Sequence, residues 1–332
     1  MDRLASSDLR FALLNNWQRE YPLVETPFAA IAETCDSDVH AVLAHYRALL
    51  HEGAISRIGG VWGAGAGGAA LLCAFAVPAH RLEAVAGMVS AHPGVNHNYE
   101  REHDYNLWFV ITGRDPGSVT RSVADLEAQT GCRALRLRMQ RAYHIDLGFD
   151  LRADLAAAGG APSRRAEPVA NDDAPLAALV ECGLPLIARP FDAWAESLHR
   201  PRDAVLATLE RWLRQGTLRR FGVIVRHHEA GFAHNAMTVF DVPESEVDAC
   251  GEALAQMPGV TLAYQRARAG DWPYNLYCMV HGRDRTAVRA AIASAIAACE
   301  LGACPQAVLF SRRRFKQAGA RYFSGMPEGV AA

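Results

Sequence analysis

The sequence predicts an α+β fold written twice. Each copy is a winged helix-turn-helix followed by a β-α-β-β-α-β domain of ferredoxin-like order, and the two copies form an intrachain pseudo-dimer. Three observations lead there. Segments recur at a slowly growing offset: Gly53–Gly60 (GAISRIGG) returns as Gly216–Val223 (GTLRRFGV), 163 residues later. Pro93–Arg101 (PGVNHNYER) returns 165 later as PGVTLAYQR, and Tyr105–Asp115 (YNLWFVITGRD) 169 later as YNLYCMVHGRD. Small steps in offset are what short loop insertions between paired elements produce. Each copy also passes from a helical to a strand-rich pattern, and a stretch without periodicity, Ala153–Pro175, separates them.

In copy one, helices are expected at Leu9–Trp17, Pro27–Thr34 and Asp38–Glu52. The last has an Asp/Ser start, apolar residues at helical spacing (Val39, Val42, Leu43, Tyr46, Leu49, Leu50) and Gly53 at its end. A short strand over Ile55–Val61 forms the wing. Then follow strand Leu71–Val77, helix Ala79–Ser90, strand Val95–Arg101, strand Leu107–Thr112, helix Gly117–Gln129 and strand Ala134–Met139. Such a sheet leaves one face bare of helices, and the other copy's sheet is its natural cover. The expected boundaries are 1–62 and 176–225 for the helix-turn-helix parts, 63–152 and 226–326 for the ferredoxin-like parts, and 153–175 for the linker.

The chain has 332 residues and a formal net charge of −2, which does not suit a protein that coats nucleic acid or a membrane surface. No signal peptide and no membrane-spanning apolar run is read in it, and the eight cysteines show no C-x-x-C pair. The expectation is a cytoplasmic protein. The first recognition-helix candidate opens with Asp36 and Asp38, which repel phosphate. DNA is therefore not an expected partner.

The copies differ where chemistry is carried. Arg226, His227 and His228 end the second copy's wing strand, where copy one has Gly63, Ala64 and Gly65. His97 in copy one faces Leu262 in copy two, while Tyr99/Tyr264 and Arg101/Arg266 are kept in both. Asn106 and Asn275, each after a Tyr, are read as fixing local backbone. The stretch Trp62–Ala70 (WGAGAGGAA) lacks the context of a dinucleotide fingerprint, and its bare backbone admits a flat ligand. Unequal divergence of equal copies points to one functional site in which the halves play different parts. Arginines hold carboxylates, and imidazoles contact iron or move protons.

The winged helix-turn-helix plus β-α-β-β-α-β order resembles the Lrp/AsnC regulators. The motifs RRFGVIVRHHEAGFAHNAM, GVNHNYEREHDYNLWFV, DWPYNLYCMVHG and FSRRRFKQAGARYF further resemble the siroheme decarboxylase family, with its two subunit types fused. That resemblance implies removal of the C12 and C18 acetate carboxyls of siroheme, giving 12,18-didecarboxysiroheme and CO2 on the way to heme d1 or heme. The catalytic candidates are His227, Arg226 and His97. His227 acts either as general acid or in contact with the siroheme iron. The substrate-binding candidates are His228, Tyr99, Arg101, Tyr264, Arg266, Arg220 and Arg314. No cofactor is expected beyond the substrate, whose iron is its own. Partners are siroheme and homologous subunits or a second copy. The other readings are a tetrapyrrole-binding sensor and a DNA-binding regulator.

Overall fold

The computed structural model describes residues 6–145, 151–152, 166–226, 231–232 and 234–324. Its elements run α1 (Ser6–Asn15), α2 (Pro27–Thr34), α3 (Val39–His51), β1 (Ile55–Trp62), β2 (Ala69–Phe75), α4 (Leu82–Ala91), β3 (Val95–Arg101), β4 (Leu107–Gly113), α5 (Pro116–Thr130), β5 (Leu135–Leu137) and β6 (Met139–Ile145). The second copy gives α6 (Ala174–Cys182), α7 (Pro190–Ser197), α8 (Arg202–Gln215), β7 (Leu218–Val225), β8 (His234–Phe240), α9 (Val247–Leu254), β9 (Val260–Arg266), β10 (Leu276–Gly282), α10 (Arg285–Ala298) and β11 (Gln306–Gln317). Among the described residues no helix is long and apolar enough to cross a membrane.

The chain forms two compact units, each gathered from both copies. The first holds residues 1–67, 148–151 and 164–230; the second holds 68–147, 152–163 and 231–332. The expected boundaries thus mark the repeat along the chain, whereas packing sorts like parts together.

In the first unit, Asp38 caps α3 by accepting from the Ala41 amide (2.9 Å). Gly53 follows the helix at φ +77°, a conformation that side chains rarely adopt. The two wing strands pair antiparallel with Gly59 opposite its own equivalent, Gly222, so the ribbon's pseudo-two-fold passes between these two glycines. Both glycines are needed for close approach. A Cβ on Gly222 would lie 2.4 Å from the Trp17 carbonyl oxygen, and one on Gly59 2.6 Å from that of Val180.

The second unit holds one nine-stranded sheet in the order β5-β2-β4-β3-β11-β8-β10-β9-β6. Each copy contributes the expected four strands, with helices α4 and α5 or α9 and α10 on the outer face. The fourth strand does more than the alternation indicated. In copy two, Gln306–Phe310 of β11 pair with β8, and Ser311–Gln317 pair with β3 of copy one. In copy one the same strand continues as β5 on β2 and then β6 on β9 of copy two. Only Arg138 separates β5 from β6, so the sheet closes on itself through that strand. The helix-free faces bury each other, as expected: Leu72, Ala74, Trp108 and Leu137 pack with Met237, Val239, Tyr277, Met279 and Leu309. Among the described residues, β5 and β6 thus cover the outer strands β2 and β9 of the two copies.

Candidate functional site

The glycine-rich stretch is explained by packing of the chain itself. In the first unit, a Cβ on Gly63 would fall 2.2 Å from the Gly216 carbonyl oxygen and 2.8 Å from Ala166 Cβ. Ala166 and Val169, from the segment expected to be linker, donate their amides to the Ala64 and Ala66 carbonyls (2.8 and 2.7 Å). In the second unit, Gly68 (φ +62°) lies against Tyr322 and the Gly113 carbonyl. Small residues are required here because protein backbone fills the space that was left for a flat ligand.

Arg226 ends the wing in the first unit. Its amide donates to the Ala54 carbonyl (3.0 Å), and its Nη1 lies over Gly53, 3.1 Å from where a Cβ would stand. Its buried Nε has no hydrogen-bond partner among the described residues. His227 and His228 lie outside the described residues. Arg220 is buried in the same unit, and its Nη1 donates to the carbonyls of Gln18 (2.7 Å) and Val223 (3.2 Å). There it packs and holds the backbone of two segments.

The other candidates sit in the second unit, on the inner face. Tyr99 pairs with Trp108, and His97 and Arg101 share its side by alternation along β3. Arg101 is 7% exposed. Its Nη1 donates to the Leu309 carbonyl (3.1 Å), its Nη2 reaches Met279 Sδ (3.7 Å), and its Nε has no hydrogen-bond partner among the described residues. Burial lowers its pKa to about 10, so it remains a cation at neutral pH. Arg266 mirrors it, with Nη1 donating to the Leu137 carbonyl (2.7 Å) and the guanidinium 4.5 Å from the Tyr264 ring centre and 5.8 Å from that of Tyr277. Arg101 lies 5.7 Å from the Tyr99 ring centre. Both arginines therefore serve the fold by tying each copy to the other's fourth strand.

The surroundings of the two arginines differ, and the register shows how. Beside Arg101, β11 sets Ser311 opposite Arg101, Arg314 opposite Tyr99 and Gln317 opposite His97. Beside Arg266, β6 sets Met139, Ala142 and Ile145 opposite Arg266, Tyr264 and Leu262. On the adjoining strands His281 pairs with Asn235, while the equivalent pair in copy one is Thr112 with Ala70. One end of the inner face is thus polar and its pseudo-symmetric counterpart is apolar.

Within the polar end, Arg314 Nη1 donates to Gln317 Oε1 (3.1 Å), Ser311 Oγ to Asn235 Oδ1 (2.7 Å), and His97 Nδ1 lies 3.0 Å from Asn96 Oδ1. His281 Nδ1 lies 2.8 Å from Thr261 Oγ1. Burial first, then the Arg101 charge, lowers the pKa of His97 to about 4 and of His281 to about 3. Both are neutral at pH 7. Tyr99 is pushed up to about 12 by burial, against the charges of Arg101 and Arg314. His281 was not singled out from the sequence. Its signal is one imidazole for Thr112 in otherwise parallel segments, YNLYCMVHG against YNLWFVITG.

The loops after β3 and β9 account for other quoted motifs. Trp272 packs edge-on to His103, Tyr105 and Tyr274 and tilted on Trp108, and its Nε1 donates to the Tyr277 hydroxyl (2.7 Å). Asn106 and Asn275 each bond both amide and carbonyl of a single residue, Val77 and Val242 respectively, at 2.8–2.9 Å. They fix backbone, as read. Among the described residues no group of three or more His, Cys, Asp or Glu could hold a metal ion.

Comparison with known proteins agrees with this architecture. The AsnC-like ligand binding domain matches twice, over residues 66–144 and 229–316, and the siroheme decarboxylase NirDL-like HTH domain matches residues 11–55. The chain is 40% identical over 318 residues to the siroheme decarboxylase NirDL subunit of Paracoccus denitrificans, covering 96% of this chain and 98% of that one. It is 30% identical to the siroheme decarboxylase of Hydrogenobacter thermophilus, covering 92% of each. The crystal structure of the siroheme decarboxylase NirDL superposes with a TM-score of 0.66 at 27% identity, over 96% of this chain and 95% of that one. A second structure of that enzyme, in co-complex with an iron-uroporphyrin III analogue, fits equally. A duplicated helix-turn-helix and AsnC-like chain, similar over nearly its whole length to these enzymes, belongs to the siroheme decarboxylase family in its fused NirDL form.

Proposed function

We propose that the chain removes the C12 and C18 acetate carboxyls of siroheme, and that the acetate under attack enters the polar end of the inner face. Family membership supports the reaction. The observation that carries the location is the Arg101 guanidinium, buried without a carboxylate partner among the described residues, with Arg314, His97 and Gln317 further along the same face. A buried cation without a counter-anion favours an anionic ligand.

In each decarboxylation the C–C bond to the carboxylate breaks and its electron pair stays on the methylene carbon. One proton is taken up there, leaving a methyl group, and one CO2 departs. Arg101 and Arg314 orient carboxylates. Binding the reacting group too firmly would stabilise the ground state, so their main work falls on carboxylates that are retained. His97 is neutral in the free protein because burial and Arg101 oppose its charge. A carboxylate laid beside Arg101 offsets that charge and raises the His97 pKa toward the range in which it donates a proton. His227 shares the proposal as alternative acid or as contact to the siroheme iron, and His228 as a substrate-binding group. His227→Ala tests the first: an altered spectrum of bound siroheme means iron contact, and slow turnover with an unchanged spectrum means proton delivery.

We further propose that DNA is not a partner and that the enzyme works in the cytoplasm. Several arginines of the second helix-turn-helix are ion-paired. Arg200 and Arg211 bond Asp173 (2.8 and 2.7 Å), and Arg202 reaches Glu25 (2.9 Å) and Asp192 (3.5 Å). The direct test of the site is turnover by His97→Ala and Arg101→Met with siroheme bound. Loss of a positioned acid lowers the rate by about two to four orders of magnitude; wild-type turnover in both variants would remove the polar end from the reaction.

A further inference from the structure

The chain has two ends that its pseudo-two-fold relates, and siroheme has two acetates to lose. A duplicated enzyme with two reactions to perform offers one obvious scheme, in which each end takes one acetate. The inner face rules against it. Next to Arg266, the places of His97, Gln317 and Arg314 are taken by Leu262, Ile145 and Ala142, and that of His281 by Thr112. Thr112 is occupied with backbone, its Oγ1 donating to the Gly94 carbonyl (3.3 Å). Arg266 itself rests against two tyrosine faces, and those rings stack on each other at 5.8 Å. Among the described residues, none of the positions equivalent to His97, His281, Arg314 and Gln317 carries an imidazole, a guanidinium or an amide side chain, and the β6 imidazole of His144 stands opposite Ala263, away from Arg266. Those positions supply neither a proton donor nor a second carboxylate holder.

We infer that both acetates are lost at the single polar end, one after the other, and that the tetrapyrrole leaves and rebinds turned over between the two steps. The inference rests on the proposed location of the site. The substituent order of the substrate makes it chemically sufficient. The C12 and C18 acetates flank two propionates along the edge shared by neighbouring rings. Turning the macrocycle over about the axis through the meso carbon between those rings exchanges the acetates and lays propionate on propionate. A group that holds the propionate beside the reacting acetate then meets a propionate in both orientations, while the other two rings, whose substituents do not coincide, lie away from the reacting edge. A flat macrocycle cannot turn over while held between protein faces, so the half-processed compound must be released. Each visit consumes one proton and liberates one CO2, so the site returns to its starting state after each and needs no other reagent.

The test uses the full chain with siroheme in large excess, sampled early and resolved by mass. Mono-decarboxylated siroheme is expected free in solution at concentrations above that of the enzyme, with didecarboxysiroheme following after a lag. Didecarboxysiroheme appearing without a lag, and mono-decarboxylated compound never exceeding the enzyme, would overturn the inference. A pair of variants separates this from failure of the site assignment. His97→Ala is expected to slow both steps by a similar factor, and Leu262→Ala at the apolar end to slow neither. Leu262→Ala impairing one step alone would show that the apolar end works. Wild-type rates for both steps in His97→Ala would instead refute the location of the site.

Discussion

Arg101 and Arg266 stand at equivalent places in the two copies, and each donates through Nη1 to a carbonyl of the other copy's fourth strand, Leu309 at 3.1 Å and Leu137 at 2.7 Å. The bonds are matched and the neighbours are not. That separates what these arginines do for the fold from what one of them does for the substrate.

Arg266→Met should therefore lower stability and spare chemistry. It strips the Leu137 carbonyl of its partner, which costs about 1–3 kcal/mol. Turnover of the folded fraction at saturating siroheme should stay near wild type. Arg101→Met should cost a comparable amount of stability and in addition weaken siroheme binding about tenfold or more, since a charged hydrogen bond is worth roughly 1.5–3 kcal/mol. Denaturant melts and a spectroscopic titration with siroheme check both. Equal binding by the two variants would contradict the asymmetry.

The asparagines after the tyrosines should prove purely structural. Asn275 is 1% exposed and satisfies both the amide and the carbonyl of Val242 (each 2.9 Å). Asn275→Ala orphans the buried Val242 amide, whereas the Val242 carbonyl keeps the Arg268 guanidinium (2.8 Å), so the change should cost about 1–3 kcal/mol. Asn275→Asp keeps the acceptor for the Val242 amide and loses the donor, so its melting temperature should fall between those of alanine variant and wild type. The ratio of kcat to KM for the folded protein should not move in either.

Acid should destabilise the protein through its buried histidines. His97 and His281 are held neutral when folded, with pKa values near 4 and 3, against about 6.5 when unfolded. Below pH 6.5 the unfolded chain binds protons that the folded chain refuses, so stability is full above about 6.5 and falls as pH drops toward 4 and then 3. Urea melts across that range should show a shallower decline in His281→Gln than in wild type. A siroheme-saturated enzyme should lose less between pH 6.5 and 4, because the bound carboxylates favour a charged His97. An identical pH slope for free and loaded enzyme would refute the coupling of His97 to the substrate.

The duplicated helix-turn-helix should not bind duplex DNA in a sequence-specific way. Besides the ion pairs at Asp173 and Glu25, Arg214 lies 3.7 Å from Glu210 on its own helix. A fluorescence titration with duplex at low and physiological salt should give only weak binding that salt abolishes.

Much of the fold was legible because hydrophobic period and turn chemistry are local. The helix at 27–34 and the strand at 95–101 appear as read. Where β11 and β5–β6 go was not legible. A strand's alternation shows which side is buried and not which neighbour it pairs with, so the passage of Ser311–Gln317 onto the other copy left no local mark. Site reading met the same limit. The loss of His97 in copy two was visible by comparing copies, but Gln317 and Ser311 enter the site only through register. Arg220 drew attention as a basic residue in a motif, and its buried bond to the Gln18 carbonyl links it to a segment about 200 residues away.

The central claim is that this chain is a siroheme decarboxylase working at one polar end. The measurement that tests it most directly is mass analysis of siroheme incubated with the purified chain, wild type beside His97→Ala. Wild type should convert siroheme to a product lacking two carboxyl groups as CO2, and His97→Ala should bind siroheme and leave it almost wholly unconverted. Siroheme recovered intact after binding to the wild-type chain would contradict the claim and leave a tetrapyrrole-binding protein without the chemistry.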